Sequence, residues 1–106
     1  MIVFQWSAVA VDGHADTALV LVKRWAWEEL SDIGWPAGRV FTNCKNCGAI
    51  TVEYVFDSMT SFENAWENLL HCERAASLWE ELKALLDEDQ VDRQLYSVSY
   101  ARNKTL

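Results

Sequence analysis

The fold is decided by residues 49–70, which read AITVEYVFDSMTSFENAWENLL. The first part alternates, so that one face of a predicted strand carries Ile50, Val52, Tyr54 and Phe56. After Asp57 the apolar period becomes helical, and one side of the predicted helix carries Phe62, Ala65, Trp66 and Leu69. Either Ser58 or Thr60 can cap this helix, because both hydroxyl residues precede its apolar stripe. The stretch therefore predicts a strand that leads directly into an amphipathic helix.

The residues before this stretch predict two more strands and one more helix. Residues 2–11 form an apolar run that ends at Asp12-Gly13. Helical apolar spacing then runs from Ala15 to Leu30. Residues 39–43 form a short strand, and a turn joins it to the strand at 49–57.

The residues after it complete the predicted topology. The second helical region runs to about Leu86, with a kink or a break at residues 71–76 because its apolar face rotates there. Alternation returns at residues 93–101 and predicts a last strand. The order β-α-β-β-α-β with right-handed crossovers predicts an α+β, ferredoxin-like fold, in which helices cover one face of a four-stranded antiparallel sheet. We expect one domain spanning residues 1–106.

Composition excludes several classes of function. The formal net charge of −7 argues against nucleic acid and anionic membrane surfaces as partners, since both attract clustered Lys and Arg. No apolar segment approaches the roughly 18 residues of a membrane-spanning helix. Three cysteines, an odd number, favour a reduced cytoplasmic protein over a secreted disulfide framework.

The aromatic content and the first strand both favour a homodimer. Six Trp are many for 106 residues, and a small domain has difficulty burying all of them alone. Both faces of residues 2–9 are mostly apolar, and strands of this kind are covered on both faces. On the strand at 49–57, we expect Thr51, Glu53 and Val55 to face a second protomer.

The chain resembles the dimeric α/β-barrel superfamily, which includes the antibiotic-biosynthesis monooxygenase, NIPSNAP and stress-responsive (Dabb) groups. The similarity lies in three segments, DGHAD at residues 12–16, YVFDSMTSFENAW at 54–66 and RQLYSVS at 93–99. It implies that two protomers pack their open sheet faces together as a barrel. It also implies a small-molecule pocket between the sheet and the helices.

Candidate site residues follow from this arrangement. The predicted pocket is mostly apolar and is lined by Trp6, Trp25, Phe56, Phe62, Trp66 and Tyr96, with Gln5, Glu53 and His14 as polar groups. The weak catalytic candidates are His14, Glu53 and Trp66. The resemblance implies an Asn, Trp and Tyr set for cofactor-independent monooxygenases and an Asn, Trp and His set for haem-degrading members. This chain offers Asn64, Trp66 and His71, but it carries Gln5 or Ser7 where the first strand would need an Asn.

Two other features have a functional and a structural interpretation. Cys44-x-x-Cys47 can supply half of a zinc site, but no second ligand pair exists and a hairpin lacks the helix dipole of a redox pair. Two incidental thiols are therefore favoured, and we predict neither a metal nor a cofactor. Val20 and Trp27 form a second stripe on the first helix, which either contacts a partner or loop or is shielded by Lys23 and Arg24.

Three functions remain open from the sequence. The first is a homodimeric protein that binds a small apolar or aromatic molecule. The second is a cofactor-independent monooxygenase or a cyclase-like enzyme. The third is a structural or interaction dimer whose core is filled.

Overall fold

The computed structural model describes residues 1–46 and 48–99. Its four strands are β1 (Ile2–Val9), β2 (Arg39–Thr42), β3 (Ala49–Phe56) and β4 (Asp92–Ser97). Its helices are α1 (Ala15–Arg24), α2 (Leu30–Asp32), α3 (Met59–Leu70) and α4 (Glu73–Lys83). A π-helical turn, Trp25–Glu29, joins α1 to α2, and a 3₁₀ turn, Glu88–Gln90, precedes β4.

The strands form one antiparallel sheet in the order β2-β3-β1-β4. The side chains of β1 and β3 that face the helices are buried, and they are Ile2, Phe4, Trp6, Ala8, Ile50, Val52, Tyr54 and Phe56. This arrangement confirms the predicted α+β class, the element order and the helix-facing set on residues 49–57. Within one chain the sheet is open and is not closed into a barrel.

The predicted helix–helix boundary and one of the two predicted caps are both observed. Ser58 is the N-cap of α3, and its hydroxyl oxygen accepts a hydrogen bond from the Ser61 backbone N–H at 3.1 Å. Thr60 lies inside α3 and is not the cap. The second helical region breaks between Leu70 and Glu73, where Cys72 takes an extended backbone conformation. The break interrupts the helical period between α3 and α4, which accounts for the rotation of the apolar stripe.

Several element ends differ from the predicted ones. The first strand ends at Val9 rather than at residue 11, and α4 ends at Lys83 rather than at Leu86. Leu86 leaves the helix because it forms an isolated antiparallel bridge with Ala10. The last strand covers Asp92–Ser97, and the end of the predicted strand at residues 100–101 lies outside the described residues.

The six Trp do not by themselves require a second protomer. Trp6, Trp25 and Trp35 are buried within the single chain, and Trp66 and Trp79 are half-buried. Only Trp27 is exposed on about half of its surface, at 48%. The argument from tryptophan content to oligomerisation therefore needs correction, because the helices and one sheet face bury most of these rings.

Tyr54 shows how tightly the sheet packs below the loop before β2. Gly38 lies so close that a Cβ atom added there would stand 2.7 Å from the Tyr54 ring. The Tyr54 hydroxyl is buried and has no hydrogen-bond partner among the described residues. Burial raises the pKa of this hydroxyl well above its usual value, so Tyr54 stays neutral.

Candidate functional site

A cavity of about 230 Å³ lies between the sheet and the helices. We call it the tryptophan cavity, and its lining consists of Phe4, Trp6, Trp25, Trp66, Leu69, Leu70, Ala75, Ala76, Trp79 and Arg93. The strands β1 and β4 form its floor, the π-helical turn contributes one wall, and the junction of α3 with α4 contributes the other.

Three of the indole rings form an interlocked set. Trp6 meets Trp25 with ring centroids 5.9 Å apart and meets Trp79 at 5.5 Å, both in edge-to-face geometry. Trp25 and Trp79 are 5.3 Å apart. The Trp25 indole N–H also donates to the Ala75 carbonyl oxygen at 3.1 Å, which ties the π-helical turn to α4. Aromatic rings held in this way present a rigid apolar surface.

The break between α3 and α4 leaves the space that the cavity occupies. Leu69 and Leu70 end one helix, and the small side chains of Ala75 and Ala76 begin the next. Ala75 is buried, whereas Leu70 is 63% exposed and marks the mouth. Bulkier residues at the start of α4 would fill this volume.

Among the described residues that line the cavity, Arg93 is the only ionisable side chain. Its guanidinium carbon lies 6.0 Å from the centre of the Trp79 ring, within cation–π distance. A second polar group in the lining is the Trp6 indole N–H, which is buried and has no hydrogen-bond partner among the described residues. Chemically, the cavity is suited to hold a flat apolar molecule with a polar end near Arg93.

The structure brings together three of the predicted pocket residues, Trp6, Trp25 and Trp66. Phe62 and Phe56 lie behind them in a continuous aromatic cluster. The Phe62 ring is 5.9 Å from Trp66, and Phe56 is 5.3 Å from Phe62. These two Phe residues support the cavity wall and do not line it.

Tyr96, Gln5 and Glu53 lie on the opposite face of the sheet. The register pairs Val3 with Tyr96 and Gln5 with Glu53, so their side chains point away from the helices. The assignment of Tyr96, Gln5 and Glu53 to the helix-side pocket is therefore corrected by the strand register.

His14 also lies away from the cavity. It is exposed at the start of α1 and makes no side-chain capping hydrogen bond. Asn64 is exposed as well, and the exposed His71 ring lies 2.9 Å from the Glu67 carboxylate. The Asn, Trp and His set that the resemblance suggested is therefore not assembled around Trp66.

Sequence reasoning missed Phe4, Trp79 and Arg93 as lining residues. Trp79 lies on the rotated apolar stripe of α4, which was a usable indication. Arg93 follows from β-strand alternation once the register pairs it with Trp6 on the helix side. That register was the missing information.

The cysteine motif is only partly visible. Cys44 is an exposed free thiol in the hairpin, and Cys47 lies outside the described residues. Among residues 1–46 and 48–99, no group of three or more His, Cys, Asp or Glu is placed to hold a metal ion. In the same part of the chain, no helix has the length and apolarity needed to cross a membrane.

Trp27 contacts a loop of its own chain. Its indole N–H donates to the Gly38 carbonyl oxygen at 2.7 Å, and the Lys23 ammonium lies 5.8 Å from its ring centre. Both interpretations of this exposed Trp, the loop contact and the shielding by Lys23, therefore apply together.

No family model matches the chain, and no curated protein matches it. Solved structures do. An antibiotic biosynthesis monooxygenase superposes with a TM-score of 0.74 and 13% identity, over 94% of this chain and 100% of its own. An uncharacterized NIPSNAP domain protein from Burkholderia xenovorans superposes with a TM-score of 0.74 and 10% identity, over 93% of this chain and 95% of its own. A variant of SnoaB, a cofactor-independent oxygenase from Streptomyces nogalater, superposes with a TM-score of 0.71 and 14% identity, over 96% of this chain and 97% of its own.

At these identities the likeness concerns the fold and not the chemistry. It covers almost the whole length of both partners in each comparison. The chain thus has the ferredoxin-like fold of the antibiotic-biosynthesis monooxygenase and NIPSNAP structures.

Proposed function

We propose that the protein binds a small aromatic molecule in the tryptophan cavity. The observation that carries this proposal is a cavity of about 230 Å³ whose walls include four Trp rings and one Phe. Burial of apolar surface against rigid rings stabilises such a complex, and offset or edge-to-face contacts favour an aromatic ligand further.

The volume limits the size of the ligand. An apolar cavity of about 150 Å³ is enough to bind benzene, whereas drug-sized ligands occupy roughly 300–1,000 Å³. A cavity of about 230 Å³ therefore suits a compound of one or two fused rings.

The lining favours binding over catalysis. General acid–base chemistry is most often carried out by His, Asp, Glu, Lys, Tyr or Cys, and none of these is among the described residues that line the cavity. The predicted catalytic candidates His14 and Glu53 lie elsewhere, and Trp66 supplies an apolar wall. No feature of the cavity lining favours the monooxygenase or cyclase-like alternative.

We expect that filling the cavity will abolish this binding. Ala76 lines the cavity but is exposed, so Ala76→Phe should occupy the space with little cost to folding. Isothermal titration calorimetry with indole, a neutral two-ring probe, should show at least about a tenfold loss of affinity, since the ring contacts are removed. The matched control is Ala84→Phe, at an exposed position at the end of α4 outside the cavity. Equal binding by both variants would contradict the proposal.

We further propose that two copies associate through the open face of the sheet. This face carries Val3, Gln5, Ser7, Val9, Arg39, Phe41, Thr51, Glu53, Val55, Asp92, Gln94 and Tyr96. Its two ends are apolar, with the cross-strand row Val55–Val3–Tyr96 at one end and Phe41 and Val9 towards the other. A polar belt crosses the middle, where Arg39 pairs with Glu53 at 3.4 Å.

Two properties of this face support a second copy of the chain as its partner. Val55 and Tyr96 are each at least 40% exposed in the single chain, which is much apolar surface for neighbouring side chains. A twofold axis through the polar belt would bring the apolar ends of the two copies together. A cytoplasmic location is also proposed, and the odd number of cysteines supports it.

A further inference from the structure

Arg93 lies on the cavity wall, and among the described residues it has no acidic partner. The register pairs it with Trp6, so it faces the helices. The neighbouring Asp92 faces the other side of the sheet, where its carboxylate accepts a hydrogen bond from the Gln94 amide at 3.0 Å. The acid closest to Arg93 in sequence is therefore separated from it by the strand.

In this respect Arg93 differs from three of the six other Lys and Arg side chains in the described part of the chain. Arg39, Arg74 and Lys83 form ion pairs with Glu53, Glu29 and Glu80. Within the described part of the chain, no ion pair joins Arg93 to a carboxylate. Its guanidinium group is instead positioned over Trp79, at the edge of the apolar lining.

A ligand that fills the cavity necessarily comes close to this cation. Arg93 is exposed, so a wholly apolar ligand would displace part of the water around its guanidinium group and would offer nothing in return, which is unfavourable. A carboxylate on the ligand would replace the lost water and form charge-assisted hydrogen bonds with the planar guanidinium. The charge of Arg93 therefore selects among aromatic ligands of equal size.

We infer that the cavity takes an aromatic carboxylate, with its ring between the Trp side chains and its carboxylate on Arg93. This inference rests on the proposed function, because it names the class of ligand for the same cavity. It adds specificity for negative charge, which apolar walls alone cannot provide.

The test compares two probes that differ in charge and hardly in shape, indole-3-carboxylate and indole-3-carboxamide. Calorimetry at pH 7 should show that the wild-type protein binds the carboxylate about tenfold more tightly than the carboxamide. In Arg93→Gln this ratio should fall to about one, and Arg93→Lys should restore part of it. The control Arg24→Gln removes a positive charge outside the cavity and should keep the tenfold ratio.

The outcomes separate this inference from the proposed function. If indole and the carboxylate bind but the wild type does not prefer the carboxylate, the inference is overturned and the proposed function stands. A preference that persists in Arg93→Gln, or that disappears equally in Arg24→Gln, also overturns it. If none of the three compounds binds, the proposed function fails and the inference fails with it.

Discussion

Replacing Val55 with aspartate is expected to convert the proposed homodimer into a folded monomer. Val55 lies in the apolar row Val55–Val3–Tyr96 on the open face, and 40% of its surface is exposed in the single chain. A carboxylate in that row would lose its water in the dimer without gaining a partner, which costs several kcal/mol. Because a twofold interface contains the substitution twice, we expect association to weaken by at least about a hundredfold.

Light scattering coupled to size-exclusion chromatography measures this change directly. The matched control is Val20→Asp, which makes the same chemical change at an exposed position on α1, away from the sheet. Circular dichroism should show that both variants keep their secondary structure. The open-face dimer is contradicted if the wild-type protein elutes as a monomer, or if Val55→Asp remains as dimeric as Val20→Asp.

Among the substitutions proposed for this protein, Trp35→Ala is expected to cause the largest decrease in the free energy of unfolding. Trp35 is buried in the loop before β2, and its ring meets those of Tyr54 and Phe56 edge-on at 4.9 and 5.4 Å. Its indole N–H donates to the Ala65 carbonyl oxygen at 2.8 Å, which ties the loop to α3. Truncation removes the ring contacts and leaves a cavity, so the free energy of unfolding should fall by about 3–5 kcal/mol.

Trp27→Ala is the matched control for this prediction. Trp27 also donates its indole N–H to a backbone carbonyl, but half of its surface is exposed and its ring packs on the chain's outside. Urea denaturation should therefore show a loss of only about 1 kcal/mol. Comparable losses for the two variants would show that the hydrogen bond, and not burial of the ring, determines the stability.

The sequence predicted the fold well because local patterns and global packing agree. The alternation of Ile50, Val52, Tyr54 and Phe56 requires one buried face, and the observed sheet buries all four side chains. The rotation of the apolar stripe after residue 71 predicted the boundary between α3 and α4 for the same reason. Each pattern was long enough to identify the type of element, although the choice between a kink and a break stayed open.

The site was harder to predict because its lining depends on which face of the last strand meets the helices. Alternation in residues 93–101 identifies two faces but does not say which of them meets the helices. The register with β1 places Arg93 on the helix side and Tyr96 on the open side, the reverse of the assumption that an aromatic residue belongs in the pocket. The burial of Glu29 was also not predictable from local sequence. It depends on an ion pair with Arg74, which lies 45 residues away along the chain.

The most direct test of aromatic binding in the cavity is two-dimensional ¹H–¹⁵N NMR of the labelled protein during a titration with indole. Each Trp side chain gives its own indole N–H signal, so the six rings report separately on the ligand. We predict that the signals of Trp6, Trp25, Trp66 and Trp79 shift together and saturate, because all four rings line the cavity. The signal of Trp27, which lies outside it, should stay in place. Unchanged signals for the four cavity rings, or a shift confined to Trp27, would contradict the account.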